Sequence, residues 1–526
     1  MLWWSLLASW QNEMLAIRKI SFTCFTILWL SACQQEDSAE ITFRENFLAN
    51  RAAALETFSP CERDATTQMA SLVADSLCTR FSVPENYADP ESRQIELKVM
   101  VIPSLSDLPE PDPLFLLAGG PGQAGTDLVG VAQVFGRTRT ERDIVLVDQR
   151  GTGELSPFDC QMDEEEAKEL EIRDPDTEEL LAIQMALFQG CLADTEASPE
   201  YYTTDIAMRD LDAVREFLGY SQLNLWGASY GSRAALAYLQ AYPENTRTVI
   251  IDAIAPTSLI LPLYTERDAT ASMENLLADC AANVSCNSAY PDLESGFREL
   301  LGRLETPEPV TLVDSRDFSS IETSLSRDEF LGFIRQVLYS REAQRLVPFI
   351  INQALGGNFQ PVIALSSQYA EADINQGMFL SVICSEDYSL ITDDLLAAEL
   401  GNDYLMGTEI FNRLVLEACQ FWPKREVPAS YFEPVTVDKP VLVFSGAYDP
   451  ITPPVWGELV HENLPDSLHL VLDGFGHGTL FTQCTAGIMF EFIEAGNLDS
   501  LETECTSQFG RRPFFVTPGG SSLIND

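Results

Sequence analysis

The segment Leu223-Asn-Leu-Trp-Gly-Ala-Ser-Tyr-Gly231 constrains this chain more than any other. An apolar run of strand character enters Gly227-Ala228-Ser229-Tyr230-Gly231, and Ser232-Arg-Ala-Ala-Leu-Ala-Tyr-Leu-Gln240 continues at helical spacing. A strand that turns into a helix this sharply leaves no room for bulky side chains beside the turn. Glycines at both flanks meet that demand. Ser229 is then held in a strained conformation, with its hydroxyl at the helix N-terminus above the edge of a sheet. A serine alone is a poor nucleophile, so the rest of the chain must supply a base, an acid and donors for an oxyanion.

Around this segment, apolar strands alternate with helical patterns. Ile95–Ile102 alternates as an edge strand should, Leu114–Leu117 and Ile144–Val147 read as buried strands, and Thr248–Ile251 reads as another. Ile206–Leu218 is helical in pattern. Such alternation predicts an α/β architecture with a mainly parallel sheet. From about 260 to 430 the chain reads as helical and acidic, without a series of buried strands. Strand character returns at Val441–Phe444 and Leu468–Leu472. The predicted organisation is therefore a leader (1–33), a tether with an N-terminal extension (34–94), the first part of a core (95–262), a large helical cap (263–430) inserted between strands 6 and 7, and the rest of the core (431–526). A chain of 526 residues is too long for one simple core, which agrees with an insertion.

The three histidines, His461, His469 and His477, all follow Ser229. His461 falls in an amphipathic helical pattern and reads as a surface residue. His469 starts a strand and reads as structural. His477 sits in the glycine-rich Asp473-Gly-Phe-Gly-His-Gly478, just past a strand end, where an imidazole can reach a neighbouring strand's serine; it is the candidate base. Asp449 in Phe444-Ser-Gly-Ala-Tyr-Asp-Pro450 follows the preceding strand and is the candidate acid, set to fix the imidazole tautomer. The oxyanion donors would be the backbone N–H of Tyr230, directly after the nucleophile, and that of Gly119 or Gly120 in Ala118-Gly-Gly-Pro-Gly122. That loop lacks the signatures of a phosphate cradle. Asp148 and Arg150 read as an ion pair bracing their loop.

Taken together, Ala118-Gly-Gly-Pro-Gly122, Val147-Asp-Gln-Arg-Gly-Thr-Gly153, Gly227–Ser232, Tyr448-Asp-Pro450 and Gly476-His-Gly478 resemble the prolyl iminopeptidase and tripeptidyl aminopeptidase group of α/β-hydrolases. Phe421–Cys505 resembles the TAP-like C-terminal region of that group. The resemblance implies the α/β-hydrolase fold and a peptidase acting at free peptide N-termini, with no metal or organic cofactor. Ala118 stands where prolyl iminopeptidases often have histidine, so strict proline specificity does not follow. By the same resemblance, Glu386 in Cys384-Ser-Glu-Asp387 is the candidate anchor for the substrate's α-ammonium group. Two other readings stay open: a carboxylic ester hydrolase of the same fold, and a catalytically silent hydrolase fold used as a binding module.

The balance of 80 acidic against 32 basic residues, a net charge of −48, excludes nucleic acid as a partner. Arg18-Lys19, the short apolar run Ile20–Leu30 and Leu30-Ser-Ala-Cys33 have the pattern of a bacterial secretory signal ending in a lipobox, with Met14 as the expected start. Cys33 would then carry a lipid, and membrane association would run through that anchor alone. The apolar run is shorter than the ~20 residues that span a bilayer. Export to the periplasm or cell surface suits the ten cysteines from Cys61 onward, which fall into local couples: 61–78, 160–191, 280–286, 384–419 and 484–505. A metal site is disfavoured by the absence of C-x-x-C. The sequence leaves the oligomeric state open.

Overall fold

The computed structural model describes residues 41–62, 75–162, 166, 170, 177–313, 320–366, 374–407 and 409–521. Cys33 and the rest of the leader lie outside the described residues. The chain divides into two compact units. The first comprises residues up to Thr57 together with Phe217–Tyr220. Its described part is a helix over residues 41–55, whose Phe47 packs on the ring of Tyr220 with centroids 5.9 Å apart. The second, Phe58–Glu216 with Ser221–Asp526, contains everything below.

A nine-stranded sheet forms the frame, in the order β1-β2-β3-β5-β4-β6-β7-β10-β11. The strands are β1 (Ser59–Pro60), β2 (Leu77–Pro84), β3 (Gln94–Ile102), β4 (Leu114–Leu117), β5 (Ile144–Val147), β6 (Leu223–Ser229), β7 (Thr246–Ile254), β10 (Val441–Gly446) and β11 (Ser467–Leu472). Pairing is antiparallel from β1 to β5 and parallel from β5 through β11. The parallel strands β4, β5 and β10 are buried along their whole length, as strands covered by helices on both faces must be. Leu116, Leu146, Trp226, Ile250 and Phe444 join Phe492 of the helix Gln483–Ala495 in one apolar core. This is the α/β-hydrolase arrangement.

Two expectations change at the antiparallel end. β3 is not an edge strand, because β2 pairs with it from Leu77↔Val101 to Pro84↔Gln94. Residues 77–84, read from the sequence as part of an extension, therefore belong to the sheet. Leu77–Pro84 alternates weakly and is half-buried over most of its length, so its sequence carries little strand signal.

The insertion lies between β7 and β10, which are the sixth and seventh strands once the two-residue β1 is set aside. It is mainly helical and has its own core, in which Leu276, Phe297, Phe330, Ile334 and Ile351 pack together. It also holds an unexpected antiparallel ribbon, β8 (Glu308–Val313) with β9 (Ser320–Leu325). Glu308-Pro-Val-Thr-Leu-Val313 has a proline near its start and one short alternation, unlike the continuous apolar runs of the buried strands. All ten cysteines from Cys61 onward are paired, in the sequential couples expected: Cys61–Cys78, Cys160–Cys191, Cys280–Cys286, Cys384–Cys419 and Cys484–Cys505. Among the described residues, no helix is long and apolar enough to cross a membrane.

Candidate active site

Ser229 ends β6 and precedes the helix Tyr230–Ala241 with φ 57° and ψ −128°. A β-carbon prefers negative φ, so this strain must be held in place by the surrounding packing. The flanking glycines do that. A Cβ on Gly227 would lie 2.1 Å from the Gly231 carbonyl oxygen, and one on Gly231 would lie 2.2 Å from that of Leu117. Only bare backbone lets strand, turn and helix pack this closely.

Asp449 and His477 follow the C-terminal ends of β10 and β11, at the same edge of the parallel sheet as Ser229. His477 Nδ1 lies 2.9 Å from Asp449 Oδ2 and 3.1 Å from Oδ1. Asp449 also accepts from the N–H groups of Ile451 and Thr452, each at 2.9 Å, and from the Thr452 hydroxyl at 2.7 Å. Burial alone would lift the Asp449 carboxyl, but the imidazole and these donors outweigh it and hold it below the usual range. Burial pulls the His477 imidazole down, while Asp449 beside it pushes harder the other way and leaves it raised. A carboxylate on Nδ1 fixes the proton there and leaves Nε2 to accept one.

The cap also touches this histidine. The backbone N–H of His477 donates to the Tyr339 carbonyl at 2.9 Å, and the two rings lie 4.8 Å apart. Tyr339 ends the cap helix Arg327–Tyr339. The other two histidines have structural partners: His461 bonds Ser467 at 2.7 Å, and His469 bridges Glu458 and Ser445 at 3.0 Å each.

Gly119 stands against Ser229, since a Cβ there would be 3.5 Å from Ser229 Cβ. Its N–H donates to Gln123 Oε1 at a long 3.3 Å. Gly120 has φ 104°, a backbone region that glycine adopts freely. Two bonds from Asn375 to the Gly122 carbonyl, at 3.0 and 3.1 Å, fasten this loop to the cap.

Glu386 lies in a π-helical turn, Ile383–Asp387, that continues the helix Gln376–Val382. Its carboxylate accepts from Thr204 N–H at 2.7 Å, from the Thr204 hydroxyl at 3.0 Å and from the Tyr431 hydroxyl. The Tyr230 hydroxyl reaches the same Thr204 oxygen at 2.8 Å, so two hydrogen bonds connect the residue after Ser229 to Glu386. Asp387 pairs with the buried Arg233 of the helix Tyr230–Ala241 at 2.8 Å. Two carboxylates thus face one guanidinium. Burial pushes Glu386 up to about 7, against the pull of Arg233, Tyr431 and Thr204.

The loop ion pair differs from expectation. Arg150 pairs with Asp210, at 2.7 and 2.8 Å, and not with Asp148. Asp148 instead accepts the Thr126 N–H at 2.8 Å. Arg150 is buried and also donates to the carbonyls of Glu85 and Tyr201, a donor set that only a fully satisfied guanidinium could fill. Sequence reading also passed over Thr452, Tyr339, Asp252 and Thr479. Thr452 had a signal, since it lies three residues after Asp449 in Asp-Pro-Ile-Thr, where a hydroxyl can fold back onto the carboxylate. Among the described residues, no group of three or more His, Cys, Asp or Glu side chains is placed to hold a metal ion.

Residues 405–505 match the family model described as TAP-like protein. The chain is a serine hydrolase with a TAP-like C-terminal region. Full-length relatives agree. The hydrolase is 25% identical over 459 residues to serine protease Hip1 of Mycobacterium tuberculosis, covering 81% of this chain and 85% of that one. It is 23% identical over 465 residues to a tripeptidyl aminopeptidase of Streptomyces lividans, covering 83% and 84%. A protein named carboxylesterase B from Mycobacterium tuberculosis is 25% identical over 469 residues, covering 83% of the hydrolase and 87% of the relative.

Proposed function

We infer that this hydrolase is an exported serine aminopeptidase, cutting peptide bonds near free N-termini by an acyl-enzyme mechanism. The observation that carries the reading is the His477–Asp449 pair at the sheet edge where the strained Ser229 stands. Ser229 Oγ attacks the scissile carbonyl while His477 Nε2 takes its proton, and Asp449 steadies the imidazolium. The N–H groups of Tyr230 and of Gly119 or Gly120 receive the oxyanion, with Gly119 exchanging Gln123 for the substrate oxygen. His477 then protonates the leaving amine, and water repeats the sequence on the acyl-enzyme. Glu386 anchors the α-ammonium group. The network from Tyr230 through Thr204 supports that role, because it ties the anchor to the nucleophile turn. Export, with a lipid on Cys33, rests on the residue pattern of 18–33 and suits five disulfides.

The test compares peptide arylamides with free and N-acetylated amino termini, on wild type and Ser229→Ala. Wild type should cleave the free peptides and leave the acetylated ones intact, and Ser229→Ala should fold normally without turnover. Equal cleavage of acetylated substrates would overturn the aminopeptidase reading. The relationship to carboxylesterase B favours a second reading, ester hydrolysis by the same residues. Higher kcat/KM on short acyl esters than on any peptide arylamide would select it.

A further inference from the structure

Asp252 is buried, lies at the catalytic edge of the sheet and has no part in the mechanism above. It stands near the end of β7, registered with Ala228 on one side and Phe444 on the other, between the strands that deliver Ser229 and Asp449. The ladder slips immediately after it: Ala228 faces Asp252, but Ser229 faces Ile254. The skipped residue, Ala253, has φ 53° and is fully buried. A bulge with a left-handed non-glycine residue is strained and locally changes the direction of the strand's side chains. Beside this bulge stands the Asp252 carboxylate, which is 1% exposed. Its Oδ2 accepts the N–H and the hydroxyl of Thr479, at 2.7 and 3.1 Å, two residues past His477. Among the described residues, its Oδ1 has no hydrogen-bond partner. An unpaired carboxylate oxygen in a buried strand end destabilises the fold, so a purely structural role explains it poorly.

We propose that Asp252 is a positioning residue for the base: through Thr479 it holds the loop that carries His477, and it adds its negative charge to that of Asp449 around the imidazole. The inference rests on the serine hydrolase reading of Ser229 and His477. The titratable groups facing His477 are Asp449 from the loop after β10, Asp252 from β7 and Tyr339 from the cap, and the Thr452 hydroxyl lies 3.2 Å from its Nδ1. Asp268, bonded to Trp456 at 2.8 Å, faces Asp449 from the cap side. Burial lifts Asp252 to about 6, and its ionised form is the one that raises His477. A charge there favours the imidazolium. Removing it should lower the imidazole's pKa, and the acid limb of reactivity should move to lower pH.

The experiment follows the rate of fluorophosphonate labelling of Ser229 against pH, together with thermal midpoints, for wild type, Asp252→Asn, Thr479→Val and Thr479→Ser. Asp252→Asn should shift the acid limb down by about half a pH unit and slow labelling several-fold at its optimum. Thr479→Val should slow labelling without moving the limb, and Thr479→Ser should restore it. A wild-type chain that takes no label removes the hydrolase reading, and the inference with it. A labelled wild type whose limb and rate are unchanged in Asp252→Asn overturns the inference alone. If Asp252→Asn does not fold, Thr479→Val decides: slowed labelling rescued by Thr479→Ser supports the role, and wild-type labelling overturns it.

Discussion

As the proposed ammonium anchor, Glu386 would set binding against stability within one side chain. Its usual carboxyl value is 4.5, and burial lifts it to about 7 in the folded chain. A raised carboxyl contributes stability that is fully present below the unfolded value and is lost as pH rises through the folded one. Above pH 7 the ionised form therefore weakens the fold. That same form is the one that can hold an ammonium group. A peptide α-amine loses its own proton near pH 7.7–8.0, so both charges coexist only in a narrow window around pH 7.5. KM for free-amine peptides should fall as pH rises through about 7 and rise again above about 8. Glu386→Gln should raise KM tenfold or more, since hydrogen bonds to charged groups contribute about 1.5–3 kcal/mol. It should also leave kcat nearly unchanged, erase the lower limb of the KM profile and melt no lower than wild type at pH 8. A Glu386→Gln enzyme with wild-type KM would remove the anchor from the mechanism.

At the level of elements, the turn Ile383–Asp387 is held from two directions. Arg233 ties it to the nucleophile helix, and the Cys384–Cys419 disulfide ties it to the helix Glu409–Phe421. That bond closes a span of 35 residues, for which chain entropy gives about 3–4 kcal/mol. Replacing both cysteines with alanine should lower the thermal midpoint and raise KM more than it lowers kcat, because the turn carries Glu386. The same change at Cys61–Cys78, which joins the start of β2 to its neighbour, should lower the midpoint and leave KM in place. Equal KM effects at the two sites would separate the turn from substrate binding. This contrast also shows what the sequence makes legible. Ser229, Asp449 and His477 can be read because each sits in a short motif whose glycines or prolines reflect local backbone demands. The parallel core can be read because its strands are continuous apolar runs. β2 cannot, since it is half-buried and its order comes from pairing with β3. The Arg150–Asp210 pair joins residues 60 apart and has no local signature. Asp252 reaches the site through a bulge that only the ladder reveals, and Tyr339 reaches it through the packing of a cap helix.

Across the whole molecule, a net charge of −48 acts on the fold and on the substrate with opposite consequences. With 80 acidic side chains against 32 basic ones, mutual repulsion dominates over surface pairing, and each exposed pair contributes only about 0–1 kcal/mol. Salt shrinks the Debye length to about 10 Å at 0.1 M and damps that repulsion. The thermal midpoint should therefore rise by several degrees between low salt and about 0.5 M sodium chloride, most steeply at the low end. The same field draws in a peptide whose amino end is cationic, and salt weakens this attraction as well. Hence kcat/KM for free-amine peptides should fall over the range in which the midpoint climbs. A neutral acyl ester, which does not respond to the field, should keep its kcat/KM. Measuring midpoint, peptide hydrolysis and ester hydrolysis in one salt series separates the two effects. A midpoint that falls from the first addition of salt would mean that ion pairs outweigh repulsion, and a parallel loss of ester turnover would mean that salt disturbs the site and not the approach to it.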